Sequence, residues 1–553
     1  MKGRTFNPSP YRTGLSVLAA LCLITCFTGI IEAINLDTAG ESKNVRQTSV
    51  CRGFRQRTSG GTQRQTEVCR TFPAPFRPTI EFASCIDLDD APKPDRAIRQ
   101  IAYEDIPAGL CGWLEKEGVS ENNFSDHIAA INRSTAEREL RGEYDHLIFF
   151  LLQSRGFTRQ TKIEPALSAY EFVNGLSEPE RERYLAETPD YLPPEERMPK
   201  AARARMNEFI QFIWATDKDS DDERMTYFKT LLKNTTPKSS SLAQRLYAEY
   251  ARAMRFLYRK EFASRKFSKE RLAAYVASLY QDRGHSTDTQ IESNFAVYTA
   301  LAALKAGEKS QSPSTQLNRV LIVGPGLDFA PRTDFIDLFG PQSYQPFAVA
   351  DALLSLKLCD AAKLQIDCVD INERVVAHLQ SLRRRGEVTL SILSGVSDGA
   401  GRALSADYKD YFRNLGSSVG RESAINVPPD MASHLKKSLR IGPEVTGKIN
   451  AARLNIITER FERSDGSTPN YDLVVVTNVF PYFNPTELLF ALTNISAMLA
   501  EGGYLIHNEL QTVPTSFITP LGLPLRQART VLIASSESAP LFDGVAIHQK
   551  AKK

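Results

Sequence analysis

The chain is poor in the groupings that build metal centres and phosphate cradles. Its seven histidines are scattered, and none pairs with Cys, Asp or Glu at ligand spacing, so no metal site is expected. No Cys-x-x-Cys pair occurs among the eight cysteines, which argues against a zinc site. The Gly-Lys-Ser/Thr ending of a Walker loop is absent, which sets aside a P-loop. A surplus of one charge is lacking too: 68 Lys and Arg against 65 Asp and Glu leave only +3, too little to signal a nucleic-acid partner. No internal repeat runs along the chain. What is present is ordinary globular material, 553 residues with 42% apolar and 24% charged side chains, enough for two or three domains.

At the N-terminus Lys2, Arg4 and Arg12 precede an uncharged run at 15–31. Basic residues before such a run read as a secretory signal, with Ile31-Glu32-Ala33 as a passable cleavage site. An uncleaved membrane anchor is the second reading; either places the rest of the chain outside the inner membrane. A mis-assigned start, with a cytoplasmic protein, is the third. Cys22 and Cys26 lack the small preceding residue of a lipoprotein site. Residues 34–125 are rich in Arg, Gly, Pro and Thr and read as loop-rich. Cys51, Cys69, Cys85 and Cys111 cluster there. An even count suits two disulfides, with three pairings open; free thiols in a cytosolic protein are the alternative.

Residues 126–285 read as a helical domain. DHLIFFLLQ, ARMNEFIQFIW, RMTYFKTLL, LAQRLYAEYARAMRFLY and RLAAYVASLY each carry apolar residues at 3–4 spacing. From 286 onward strands alternate with helices, which predicts a mostly parallel α/β sheet. A helix over 286–305 is expected, with Ser286, Thr287 and Asp288 at its cap. Strands are expected at 319–323, 366–369, 453–458, 471–476, 503–508, 528–534 and 544–551, and helices at 346–358, 372–384 and 485–500. The insertion at 386–450 has no clear assignment. Cys368 sits on a buried strand as a small core residue.

The first of these strands, RVLIV, runs into Gly324-Pro325-Gly326. Glycines let backbone approach a ligand closely, and Asp370 at the end of the next strand can accept both ribose hydroxyls of a nucleoside. A ligand-free turn is the plain alternative. A dinucleotide site fits less well: Phe329 stands where its third glycine belongs, and Asp370 comes later than the roughly twenty residues expected.

Three segments carry a family resemblance: YQPFAVADALL (344–354), CVDINERVVAHL (368–379) and DLVVVTNVFPYFNPTELLFALTNISAMLAEGGYLI (472–506). Residues 286–551 resemble the class I S-adenosylmethionine-dependent methyltransferases, with a distant likeness to the chemotaxis-receptor glutamate methyltransferases. The resemblance implies a Rossmann-like sheet, mostly parallel with a reversed last strand, preceded here by an all-helical region and the Cys-containing segment. It departs from that family's pattern at Gln345 (a glutamate there), at Thr477 (an arginine there) and in the added stretch 327–343.

The resemblance implies S-adenosyl-L-methionine as cofactor. Gly324, Pro325 and Gly326 would approach its methionine portion. Asp370 and Ile371 would hold the ribose, Glu459, Arg460 and Phe461 the adenine. Gln345 is counted among the cofactor-binding positions, Asn478 would face the amino-acid end or the acceptor, and Asp328 is a candidate for the ammonium, with a solvated loop acid as its plain alternative. Such a protein mainly aligns nucleophile, methyl and sulfur, and needs a base only where the acceptor must lose a proton. Asn478, Tyr482 and His507 are the candidates for the catalytic set, with Glu509 beside them; a packed strand histidine and a packing tyrosine are the plain readings of His507 and Tyr482. The acceptor, small molecule or protein side chain, stays open, as does membrane association through 15–31. The rival reading is an exported or anchored binding or scaffold protein whose methyltransferase-like domain has no turnover. A dinucleotide-dependent oxidoreductase is the third.

Overall fold

The computed structural model describes residues 96–552 except 187–190, 216–221, 236–240, 309–315, 330–335, 510–512, 537–539 and positions 400, 464 and 469. The apolar run 15–31, the segment 34–95 and Cys51, Cys69 and Cys85 lie outside the described residues. Among the described residues, no helix is long and apolar enough to cross a membrane.

Thirteen strands occur among them: β1 (Arg96–Gln100), β2 (Arg319–Val323), β3 (Gln365–Asp370), β4 (Val388–Ser397), β5 (Arg402–Leu404), β6 (Gly420–Ser423), β7 (His434–Ile441), β8 (Ile449–Arg453), β9 (Glu459–Arg463), β10 (Tyr471–Val476), β11 (Leu499–His507), β12 (Leu525–Ser536) and β13 (Leu541–Gln549). Eight form the main sheet in the order β5-β12-β13-β11-β10-β2-β3-β8. From β8 through β11 every pairing is parallel, and β13 runs antiparallel to both β11 and β12. This is the mostly parallel sheet with a reversed last strand that the resemblance implies.

The apolar composition of the strands explains their central place. In β2 the four residues Val320–Val323 are all buried, as expected of a parallel strand covered on both faces. Alternation divides them: Val320 and Ile322 join one core, Leu321 and Val323 the other. We label the principal helices α1 (Phe124–Gln153), α2 (Leu242–Glu261), α3 (Ile291–Glu308), α4 (Gln345–Ser355), α5 (Glu373–Arg385) and α6 (Pro485–Met498). Helices α2, α3, α4 and α5 feed the first core, and α6 feeds the second. Helix α1 contributes to both, Leu147–Leu152 to one and Ile128 and Ile131 to the other, so the helical region and the sheet share their cores. Local signals set the helix ends. Asn484 and Glu487 form a reciprocal capping box on α6, at 2.9 and 3.0 Å. Gly386, at φ +73°, closes α5.

Several expectations are corrected. Residues 96–125 are not loop: β1 pairs antiparallel with β9, and a helix covers Ala108–Lys116. Cys111, on that helix, is a free thiol; the disulfide expectation otherwise concerns Cys51, Cys69 and Cys85, outside the described residues. The unassigned insertion builds an antiparallel sheet, β4-β7-β6, and lends β5 to the main sheet's edge. The strand expected at 453–458 lies at Ile449–Arg453 instead. Asn455 breaks it: its side-chain oxygen accepts from the N–H of Ile457 at 3.2 Å, and its carbonyl from Thr458 at 2.9 Å. Asparagine favours such local turns over strand pairing.

Helix α1 meets the chain at 283–285 backbone to backbone. The N–H of His285 donates to the Arg138 carbonyl at 2.8 Å. A Cβ on Gly142 would stand 1.7 Å from the His285 carbonyl oxygen, and one on Gly284 would stand 2.3 Å from the Gly142 nitrogen. Arg138, buried, donates to the carbonyls of Tyr280, Arg283 and Tyr482 at 3.1, 3.1 and 2.8 Å. Mid-helix Gly→Ala ordinarily stabilises by up to about 1 kcal/mol. Here Gly142→Ala is expected to destabilise by about 1–3 kcal/mol, since backbone must move to admit the methyl. Thermal or urea unfolding of the full chain checks this; an unchanged or raised midpoint contradicts it.

Candidate functional site

The carboxyl ends of the central strands finish level, because Val323 pairs with Val369 on one side and Val476 on the other. The chain turns toward β8 from one side of β2 and toward β11 from the other, which makes the β2–β10 boundary a topological switch point. Open α/β sheets bind ligands in the crevice at such a point. A cleft opens there, with about 770 Å³ of non-atom space when its open mouth is counted.

The strand order sets out its stations. At the β8 end, Leu454–Ile457 form an apolar wall. The side-chain amide of Asn494 donates to the carbonyls of Ile456 and Ile457 at 3.0 and 3.2 Å, and Asn132 on α1 accepts from Thr458 Oγ1 at 2.7 Å. Next, Asp370 ends β3, and its Oδ1 accepts from the Asn372 N–H at 2.9 Å. At the β2 station stand Gly324 and Gly326, at φ +64° and +74°. At the β10 station stand Thr477, Asn478 and Val479, with Tyr482 and Phe483 beyond. Asn478 has φ +58°, a region asparagine tolerates better than most residues. A reciprocal amide pair holds it: Asn478 N–H to Asn508 Oδ1 and Asn508 Nδ2 to Asn478 Oδ1, both 2.9 Å. The fourth wall is His285–Asp288, with Thr135 and Glu139 of α1 behind it.

The glycines need a closer account. A Cβ at Gly324 would stand 2.7 Å from Val479 Cγ2, and one at Gly326 would stand 2.8 Å from the Thr287 carbonyl oxygen. Their bareness is therefore required by the protein's own packing. The argument for a ligand rests instead on the cleft and its charge.

That charge is negative. Glu139, Asp288 and Asp370 line the cleft, and among the described residues no lysine or arginine does. Burial pushes the Asp370 carboxyl up to about 6 against the pull of the Asn372 N–H and the Arg374 charge. Burial likewise lifts Glu139 to about 7, with Glu143, Asp370 and Glu373 adding repulsion and Arg453 opposing it. The nearby Arg374 is engaged with Glu143, at 2.7 Å. His285 is held well below its ordinary value by burial and by Arg138, hence neutral, and its buried Nε2 has no hydrogen-bond partner. Its ring lies 5.4 Å from that of Tyr482.

Of the residues expected from sequence, the cleft brings together Gly324, Gly326, Asp370, Ile371, Asn478 and Tyr482. Pro325 sits in the turn but does not line the cleft. Asp328 lies elsewhere: its N–H donates to the Gln342 carbonyl at 2.8 Å, and its carboxyl accepts from Tyr344 Oη at 3.1 Å. Gln345 donates to Thr477 Oγ1 at 2.7 Å, so the two departures from the resembled family touch each other behind the cleft. Glu459, Arg460 and Phe461 belong to β9 and brace the wall from outside; buried Arg460 pairs with Asp105 at 2.7 Å. His507 faces β13. Its Nε2 lies 3.0 Å from His548 Nε2, while His548 Nδ1 meets the Leu523 carbonyl at 2.9 Å and the Glu509 N–H donates to His507 Nδ1 at 3.3 Å. That chain satisfies a neutral His507, which burial and His548 push down to about 3. It is a packed strand histidine outside the cleft. Glu509 is buried beside Asp543, and burial and that neighbour push it up to about 8.

Sequence reasoning missed His285–Asp288, Thr135, Glu139 and the wall Leu454–Ile457. Ser286, Thr287 and Asp288 carried a signal, a polar cluster between two helices, but they read as helix caps. Helix α3 begins only at Ile291.

No family model matches the chain, and no curated protein does. Solved structures that it resembles include the N-methyltransferase NodS from Bradyrhizobium japonicum WM9 in complex with S-adenosyl-L-homocysteine, 14% identical, covering 46% of this chain and 86% of that one at a TM-score of 0.23. Magnesium protoporphyrin IX methyltransferase from Synechocystis PCC 6803, with bound S-adenosylmethionine, is 11% identical, with 48% and 86% covered and a TM-score of 0.22. A TehB-like S-adenosylmethionine-dependent methyltransferase from Corynebacterium glutamicum is 13% identical, with 47% and 98% covered and a TM-score of 0.21. The fold assignment rests on strand order and direction, not on these scores.

The raised carboxyl of Asp370 has a consequence for stability. The native state holds a proton that the unfolded chain, with its carboxyl near the ordinary 3.8, gives up at lower pH. The carboxylate therefore costs stability above about pH 6 and little below about pH 4. Asp370→Asn is expected to raise the melting temperature at pH 8 and leave it nearly unchanged at pH 4.5. Scanning calorimetry checks this; a lower midpoint at pH 8 contradicts it.

Proposed function

We propose that the cleft binds S-adenosyl-L-methionine and that the chain is a methyltransferase. One observation carries the reading: among the described residues, three carboxylates and no cationic side chain line the cleft at the sheet's switch point. Such a lining suits a ligand with a net positive charge and repels a pyrophosphate. Dinucleotide sites also set their pyrophosphate on a helix that starts directly from the glycine turn. Among the described residues between Gly324 and Gln345, no helix begins. Both points weigh against the oxidoreductase reading.

The residues fit the cofactor's parts in order along the sheet edge. Leu454, Ile456 and Ile457 offer an apolar wall for the base. Asp370 accepts the ribose hydroxyls. Thr477–Val479 and Tyr482 border the space where an acceptor must approach. When bound, the cofactor supplies an activated methyl group on a sulfonium. The chain's own residues orient the partners and shield the cleft from water. His285, neutral and with a free Nε2, borders the same space. The chemotaxis-receptor likeness remains one of sequence segments, and the acceptor is not assigned from it.

Isothermal titration of the full chain tests the reading. S-adenosyl-L-homocysteine is expected to bind and NADH not to, and Asp370→Ala is expected to weaken binding by about 1–3 kcal/mol. Heat from NADH alone overturns the methyltransferase reading, and unchanged affinity in the variant removes Asp370 from the site.

The N-terminal run favours a second reading of place, an exported or membrane-anchored protein with a binding or scaffold role. A C-terminal alkaline phosphatase fusion separates the two: activity supports export, and an inactive fusion at normal abundance supports a cytoplasmic enzyme with access to the cofactor.

A further inference from the structure

Sequence placed the cofactor's ammonium near Asp328, which the structure ties to Tyr344 and Gln342. Strand β2 supplies no replacement, since RVLIV carries no acid. Among the three carboxylates lining the cleft, two belong to another station. Asp370 ends β3, and Glu139 faces Arg453 of β8 at 3.8 Å. Asp288 alone stands at the β2 station. Its neighbour Thr287 accepts from the Leu327 N–H at 2.6 Å, and its own carbonyl oxygen lies 3.3 Å from the ideal Cβ position of Gly326. The segment thus runs alongside the glycine turn, with the Asp288 carboxyl lining the cleft.

The surroundings keep this carboxyl ionised and leave it capacity. Its Oδ1 lies 3.2 Å from Nε2 of His146 on α1, a side chain with no exposure. The contact is close enough for Coulomb attraction, and Oδ1 is a buried acceptor that no well-formed hydrogen bond satisfies. The neighbouring Arg283 has its own acid, Asp145, at 3.7 Å. His146 and Arg283 together hold Asp288 below the usual carboxylate range despite burial. A buried anionic oxygen lacking a donor is costly unless something fills the vacancy.

We propose that Asp288, backed by His146 on α1, takes up the ammonium of the cofactor's amino-acid end. The inference rests on the S-adenosylmethionine reading above and fixes which way the ligand lies: base toward β8, amino acid toward β2, methyl toward Asn478 and Tyr482. It also assigns the helical region a part in the site, because the carboxyl and its histidine both come from outside the α/β sheet.

The test compares two ligands on the full chain. S-adenosyl-L-homocysteine carries the amino acid; 5′-methylthioadenosine keeps the base, ribose and sulfur but lacks it. Asp288→Asn is expected to weaken S-adenosyl-L-homocysteine by about tenfold to a hundredfold and to leave 5′-methylthioadenosine within about twofold, the range for losing a charged hydrogen bond. Retained binding of the shorter ligand also reports that the variant is folded. On the wild-type chain, S-adenosyl-L-homocysteine stripped of its amino group should lose affinity by a similar factor, which tests the claim without any substitution. Equal losses for both ligands in the variant, no loss for either, or full affinity of the desamino ligand on the wild type overturns the assignment while leaving the cofactor reading intact. If the wild type binds neither nucleoside, the cofactor reading itself falls, and this assignment with it.

Discussion

The contact on which the site depends is a bare crossing of two backbones. Gly142 in α1 and Gly284 in the approach to α3 have no side chain between them, and a methyl on either would strike main-chain atoms. Because α1 can come that close, the His285 N–H reaches the Arg138 carbonyl, and the chain from 285 to 288 is laid across the carboxyl edge of the sheet. Without that approach the cleft would have three walls. The same crossing brings Thr135 and Glu139 to its rim and His146 to Asp288. The helical region is therefore part of the site.

The electrostatics follow from this enclosure. A carboxylate at the edge of an open sheet would be solvated and near its ordinary value. Covered by α1, Asp370 and Glu139 shift upward through burial, with repulsion from Glu143 added at both, while Arg138 and Arg374 are turned away into carbonyls and Glu143. The protein keeps its cations behind the wall and its anions in front. Such an arrangement costs stability in the empty chain and is offset when a cationic ligand enters.

The sheet was legible in the sequence because each of its strands announces itself locally. RVLIV, IDCVD and YDLVVV are short apolar runs bounded by turns, and the acid after the second lands where the pattern places it, in the cleft. What failed to read was tertiary. RLNIIT has strand composition, yet Asn455 folds it into a turn whose apolar side chains wall the cleft. Arg460, expected along the adenine, is buried on Asp105. The STD stretch at 286–288 has the composition of a helix cap, and only the glycine crossing 140 residues earlier in the chain reveals it as a wall. His507 was open to two readings, catalytic or packed in its strand, and its partner His548 on the reversed strand agrees with the second. The glycine turn does line the cleft, but Val479 and Thr287 by themselves account for its missing side chains.

The most direct test of the account is a crystal structure of the full chain with S-adenosyl-L-homocysteine. The account predicts one nucleoside in the cleft, its base against Leu454–Ile457, both ribose hydroxyls within hydrogen-bond distance of Asp370, and its sulfur facing Asn478. A ligand bound elsewhere, or a ribose turned from Asp370, would contradict it.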